Sequence, residues 1–153
     1  MILQQQFGWN AIVSYTTRPM RKGEINGRDH WFVKKNQVPP RNTMCAYTQF
    51  GGYEYWREWN QFLTLFPSVY VIDEKGLVDL QNKEQPPFSF NLVTIKIKRS
   101  NLQGIDEKRK ERDNERIHIP DELYDYIIEN EGSMEAFRTS LYLTAQCIIQ
   151  KQQ

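Results

Sequence analysis

The feature that most constrains the fold is Ser68-Val69-Tyr70-Val71-Ile72, a short apolar run halted by Asp73, with Gly76 three residues further on. A run without polar alternation predicts a strand buried on both faces, as in a parallel sheet covered by helices. Other segments fit the same architecture. Residues 11–14 predict a short strand, and Tyr126-Ile127-Ile128 another. Phe90 to Lys98 alternates, with Val93, Ile95 and Ile97 on one side and Thr94, Lys96 and Lys98 on the side that meets solvent or a polar cleft. Ser133 predicts the N-cap of a helix in which Phe137, Leu141, Ala145 and Ile148 recur at helical spacing. Strands alternating with helices place the chain in the α/β class, with a parallel sheet and flanking helices.

A second pattern interrupts the first. Asn26-Gly27, between Glu24-Ile25 and His30-Trp31-Phe32-Val33, predicts a hairpin, because a tight two-residue turn needs positive φ. Met44 to Phe50 and Tyr53 to Trp59, separated by Gly51-Gly52, predict a second. A small antiparallel β lobe, residues 15–66, is thus inserted into one domain spanning residues 1–153. Trp31, Trp56, Trp59 and Phe62 are read as packing of that lobe, since their spacing suits alternation on short strands.

Bulk properties exclude several classes. A net charge of +1 leaves nucleic acid without a global electrostatic argument, so any anion site must be local. No run approaches the roughly 20 apolar residues of a membrane span, and Met1 to Phe7 lacks the pattern of a secretory signal. Cys45 and Cys147 lack a C-x-x-C spacing and are read as reduced thiols of a cytoplasmic protein, with no metal implied.

The chemistry concentrates directly after the first strand, in Ser14-Tyr15-Thr16-Thr17-Arg18-Pro19-Met20-Arg21. Hydroxyls and two guanidiniums three residues apart suit a phosphate dianion, because the planar arginine fork matches phosphate oxygens two at a time. The plainer alternative for Arg18 and Arg21 is a pair of solvated surface arginines.

The run SYTTRPMRKGEINGRDHWFV, from Ser14 to Val33, resembles the monophosphate-binding segment of the guanylate kinase family, whose pattern reads S-x-T-T-R-x-x-R-x-G-E-x-x-G-x-D-Y-x-F-V. Weaker similarity continues through Gln49-Phe50-Gly51-Gly52, Tyr55, Ile72-Asp73-Glu74-Lys75-Gly76 and Asp125-Tyr126-Ile127-Ile128-Glu129-Asn130. The resemblance implies a P-loop-kinase-like fold and binding of GMP or a related nucleoside monophosphate, with ATP and Mg²⁺ as the family's co-reactants. It implies that Ser14, Arg18, Arg21 and Tyr55 hold the substrate phosphate, with His30 standing where the family has a tyrosine, and that Asp73 contacts the base. Tyr55 also suits cross-strand packing, and Asp73 an N-cap for the segment that follows.

The resemblance also has departures. The family's base-reading glutamate aligns with Ala46 and its small hydroxyl residue with Arg57. Arg109, Arg112 and Arg116 lie where the family has lid arginines, without an alignment to select among them; the run Asp106 to Arg116 otherwise reads as a solvated helix face. The family's first strand, its GxxxxGK[ST] loop and most of its first helix find no counterpart, and Met1 to Phe7 reads as the end of a helix. Phosphoryl transfer by this chain alone is therefore not expected. An alternative is a non-catalytic interaction module of guanylate-kinase-like form that binds phosphorylated partners.

Overall fold

In a computed structural model of the protein, the described residues are 2–62, 67–83, 87–100 and 117–151. In chain order the elements are α1 (Ile2–Phe7), β1 (Asn10–Ala11), β2 (Tyr15–Thr16), β3 (Trp31–Phe32), β4 (Met44–Phe50), β5 (Tyr53–Glu58), β6 (Ser68–Val69), α2 (Glu74–Gln81), β7 (Ile95–Lys98), β8 (Tyr126–Glu129) and α3 (Met134–Lys151). They fall into two compact units, Trp9–Ser89 and Met1–Gly8 with Phe90–Gln153.

In the unit Trp9–Ser89, β1 pairs in parallel with β6, and a four-stranded sheet runs in the order β3-β2-β5-β4. The strand predicted over 11–14 is split between these two sheets. Ile12 N–H still reaches Val69 O, but the next carbonyls are taken elsewhere. Arg57 donates to Ile12 O, Gln61 Nε2 to Val13 O, and Trp31 N–H to Ser14 O. The backbone there changes partner instead of continuing one ladder.

The β4–β5 hairpin forms as predicted, with Gly51 and Gly52 at φ +59° and +79°. The hairpin predicted around Asn26-Gly27 does not form. The turn exists, with Gly27 at φ +80° and its N–H bonded to His30 O, but β3 pairs in parallel with β2. The reason is that the backbone of Glu24 and Ile25 is already engaged: Glu24 N–H donates to Arg21 O, Ile25 N–H to Asp29 Oδ2, and Ile25 O accepts from Arg28 and Asp29 N–H.

The apolar run 68–72 is strand only at Ser68–Val69, and Val71 is 75% exposed, so it is not the doubly buried strand its composition predicts. Tyr70 leaves the ladder and packs its ring under the Arg57 guanidinium, 4.3 Å from centroid to Cζ. The core of this unit gathers Cys45, Ala46 and Leu80 with Trp59, Phe62, Tyr70 and Ile72.

In the second unit, β7 and β8 form a two-stranded parallel ladder, and α3 buries Leu141, Ala145 and Ile148. Ser133 caps α3 through Oγ, which accepts from Ala136 N–H at 3.1 Å. Phe7 of α1 stacks on Tyr142 of α3 at 5.1 Å. Lys96 and Lys98 meet Asp121 on the predicted polar side. Thr94 is buried on that side, where Asp125 Oδ2 accepts from both its N–H and its hydroxyl, while Ile97 is half exposed. Among the described residues no helix is long and apolar enough to cross a membrane.

Candidate functional site

Strand alternation gives the four-stranded sheet two chemically different faces. The ladders set Tyr15 opposite Trp31 and Trp56, and Tyr47 opposite Trp56. These rings form an aromatic face, with Tyr15 stacked on Trp56 at 5.5 Å and 13°. The same registers set Thr16 opposite Phe32 and Tyr55, and Ala46 opposite Arg57. On this other face the residues expected to hold phosphate come together.

Arg18 stands at its centre, only 7% exposed. Its Nη1 and Nη2 donate to the two oxygens of Glu24 at 3.0 and 2.8 Å, and Nη1 also donates to Pro19 O at 2.8 Å. Of the five guanidinium donors, these bonds leave Nε–H and one Nη2–H, a second edge on which the Tyr55 phenol is a further partner. The Glu24 bond and, more weakly, the Tyr55 phenol hold the guanidinium in its charged form. The Phe32 ring lies 5.4 Å from Arg18 Cζ. Glu24 also accepts from Arg21 N–H at 2.6 Å, and the Arg18 and Arg21 donors bring its carboxyl down to about 2.

Ser14 Oγ and His30 Nδ1 share a hydrogen bond of 2.6 Å. The imidazole meets Phe32 and Tyr55 edge-on, at 5.7 and 5.8 Å between centroids. Burial, then the positive charge of Arg18, moves its pKa below the ordinary value, so the ring is neutral at pH 7. With the proton on Nε2, Nδ1 accepts the serine hydroxyl and Nε2–H remains as a donor. Trp31 N–H bonded to Ser14 O at 2.8 Å fixes the two segments side by side.

Ser14, Arg18, His30 and Tyr55 are therefore adjacent in space. Arg21 shares the loop, but its side chain is exposed and makes no hydrogen bond among the described residues. Asp73 is the N-cap of α2, its Oδ1 accepting from Gly76 N–H at 2.8 Å. Arg109, Arg112 and Arg116 lie outside the described residues.

Two residues escaped the sequence reading. Glu24 as the partner of Arg18 is foreshadowed only by the R-x-x-R-x-G-E spacing. Arg57 was visible as a departure from the family pattern, but its 2% exposure comes from tertiary packing.

The chain is similar to known proteins over most of its length. The family model described as guanylate kinase matches residues 2–141. A guanylate kinase of Protochlamydia amoebophila (strain UWE25) is 30% identical over 147 residues, covering 84% of this chain and 72% of that protein. One of Blochmanniella floridana is 28% identical over 158 residues, covering 92% of this chain and 72% of that protein. Among solved structures, the guanylate kinase from Anaplasma phagocytophilum aligns with a TM-score of 0.62 at 24% identity, covering 95% of this chain and 78% of that one. That likeness shows the fold: α/β, with parallel and antiparallel strand pairing and flanking helices.

Proposed function

This chain belongs to the guanylate kinase family, and from that membership we propose that the residues around Arg18 hold the phosphate of a nucleoside monophosphate of the GMP type. One observation carries the reading. A nearly buried arginine, oriented by Glu24, shares its second edge with the Tyr55 phenol and stands beside a neutral imidazole. Such donors suit a monoester dianion, which accepts several charge-assisted bonds at once. In this reading Ser14 orients His30, Tyr55 adds a phenolic donor, and Arg21 swings in from solvent.

The family further suggests phosphoryl transfer from ATP with Mg²⁺, in a cytoplasmic setting. The 153 residues contain no GxxxxGK[ST] sequence to cradle a triphosphate. The chemistry assigned to this chain is the binding and orientation of the monophosphate.

Calorimetric titration with GMP tests the reading. Arg18→Ala removes charge-assisted contacts of about 1.5–3 kcal/mol, which weakens binding about tenfold or more. Equal affinity in the two proteins would refute it.

A second reading, an interaction module for phosphorylated partners, is favoured by one observation: Ala46, opposite Arg57 in the ladder, offers no carboxylate to read guanine. Competition between a phosphoserine peptide and GMP separates the two, since a nucleotide site prefers the nucleotide.

A further inference from the structure

Resting on the monophosphate reading above, we propose that Gln61 is a positioning residue of that site, which sets Ser14 against His30 by gripping the Val13 carbonyl. Ser14 needs such a grip. The β2–β5 register pairs Thr16 with Tyr55 and Tyr15 with Trp56 and ends there, so no ladder bond ties Ser14 to the strand that carries Tyr55. Yet Ser14 Oγ stands 2.6 Å from His30 Nδ1, and the Tyr55 ring meets the same imidazole edge-on.

Antiparallel ladders bond at every second pair, and Thr17 N–H donates to Glu54 O, so Tyr15 with Trp56 and then Val13 with Glu58 follow as bonded pairs of this register. The last of these is not made. Glu58 N–H donates instead to Gln61 Oε1 at 3.2 Å, and Gln61 Nε2 donates to Val13 O at 3.0 Å. A side-chain amide thus stands inside what would be one backbone bond, and holds Val13 off β5 by its own width. The short turn Trp59–Phe62 folds Gln61 back over the end of the strand and so puts it there.

The spacer governs Ser14. Three successive carbonyls, of Ile12, Val13 and Ser14, accept from Arg57 Nη2, Gln61 Nε2 and Trp31 N–H, so three separate segments fix this stretch of backbone. Without the amide, Glu58 N–H either closes directly on Val13 O or leaves it unpaired, and either outcome displaces Ser14 from the imidazole. Gln61 therefore acts on a bound phosphate only through Ser14 and His30.

The test is a double-mutant cycle on GMP affinity in the full chain, with Gln61→Met and Ser14→Ala, read by calorimetry beside the ring-nitrogen NMR shifts of His30. Gln61→Met should weaken GMP about fivefold, as for one lost hydrogen bond, and should move the His30 nitrogens in the direction that Ser14→Ala moves them. Added to Ser14→Ala it should cost nothing further. Asn60→Ala, in the same turn, should leave both readouts at wild type. Where Gln61→Met fails to fold, Gln61→Asn, whose amide falls one methylene short of Val13 O, is held to the same outcomes. A lower melting temperature with GMP affinity and His30 shifts unchanged makes Gln61 merely structural and overturns this inference, leaving the phosphate reading in place. Additive losses in the cycle, or an equal loss in Asn60→Ala, also overturn it. Failure of the wild type to bind GMP removes the phosphate reading, and this inference with it.

Discussion

Glu24 grips the two terminal nitrogens of Arg18, at 3.0 and 2.8 Å, and so turns the other edge of the guanidinium toward Tyr55 and His30. The carboxylate spends one fork to aim the second. The pair lies six positions apart in sequence, and the Arg21 N–H bonded to the same carboxylate closes the loop between them. An arginine so held loses little freedom when a phosphate arrives.

That pairing predicts an acid limb in the stability curve. The Glu24 pKa is lowered from 4.5 to about 2, first by the Arg18 hydrogen bond and then by Arg21 N–H. A depressed carboxyl contributes stability that is fully present above its unfolded pKa and is lost as pH falls through its folded one. Thermal melts between pH 5 and pH 2 should fall for the wild type, and Glu24→Gln should flatten part of that fall. Superimposable curves would show that the pair contributes nothing to stability.

His30 provides a readout of the site itself. Burial and Arg18 lower its pKa, so its protonation disfavours the folded state, and the stability linked to it is complete above the ordinary value near 6.5 and declines below. A bound dianion beside the ring reverses the electrostatics and should raise that pKa. The chain has two histidines, so NMR titration with His30→Gln as the assignment control is direct. A His30 pKa unmoved by saturating GMP would place the phosphate elsewhere.

How much of this was legible beforehand depends on the range of the interactions. Gly51-Gly52 and Ser133 act on their immediate neighbours, and both the hairpin and the helix start appear where local chemistry puts them. The partition of residues 11–14 between two sheets was not legible, because Arg57 and Gln61, which take the carbonyls of Ile12 and Val13, lie 45 and 48 residues away. Asp73 illustrates a residue with two local readings, and the capping one is what the structure displays. Within the site, Ser14, Arg18, His30 and Tyr55 were named from the motif, while the aiming role of Glu24 required coordinates.

The two thiols should behave oppositely toward alkylation. Cys45 is fully buried, and burial raises its pKa from 9.0 to about 12, so in the folded protein it is neither accessible nor a thiolate at pH 8.5. Cys147 is exposed on α3. Iodoacetamide followed by mass spectrometry should modify Cys147 alone in buffer and both in denaturant. The raised Cys45 pKa adds stability below pH 9 that is lost as pH climbs toward 12, so labelling of Cys45 should begin with alkaline unfolding.

Gly27 joins local geometry to the site, and its substitution tests whether the Asn26-Gly27 turn positions His30. The residue sits at φ +80°, and a Cβ there would lie 2.8 Å from the Trp31 ring. Gly23 has a similar φ of +86° with nothing within 4 Å of a Cβ, so it serves as the control for backbone cost alone. That shared cost is about 1–2 kcal/mol for an alanine in the left-handed region. Gly27→Ala should therefore destabilise more than Gly23→Ala in denaturant melts, by the added cost of displacing Trp31. It should also weaken GMP binding, because Gly27 N–H holds His30 O at 2.8 Å and Asn26 Oδ1 holds Phe32 N–H at 2.9 Å. Equal losses in the two variants would mean that the Trp31 ring swings aside freely, consistent with its partial exposure, and that the turn tolerates the methyl group without moving the imidazole.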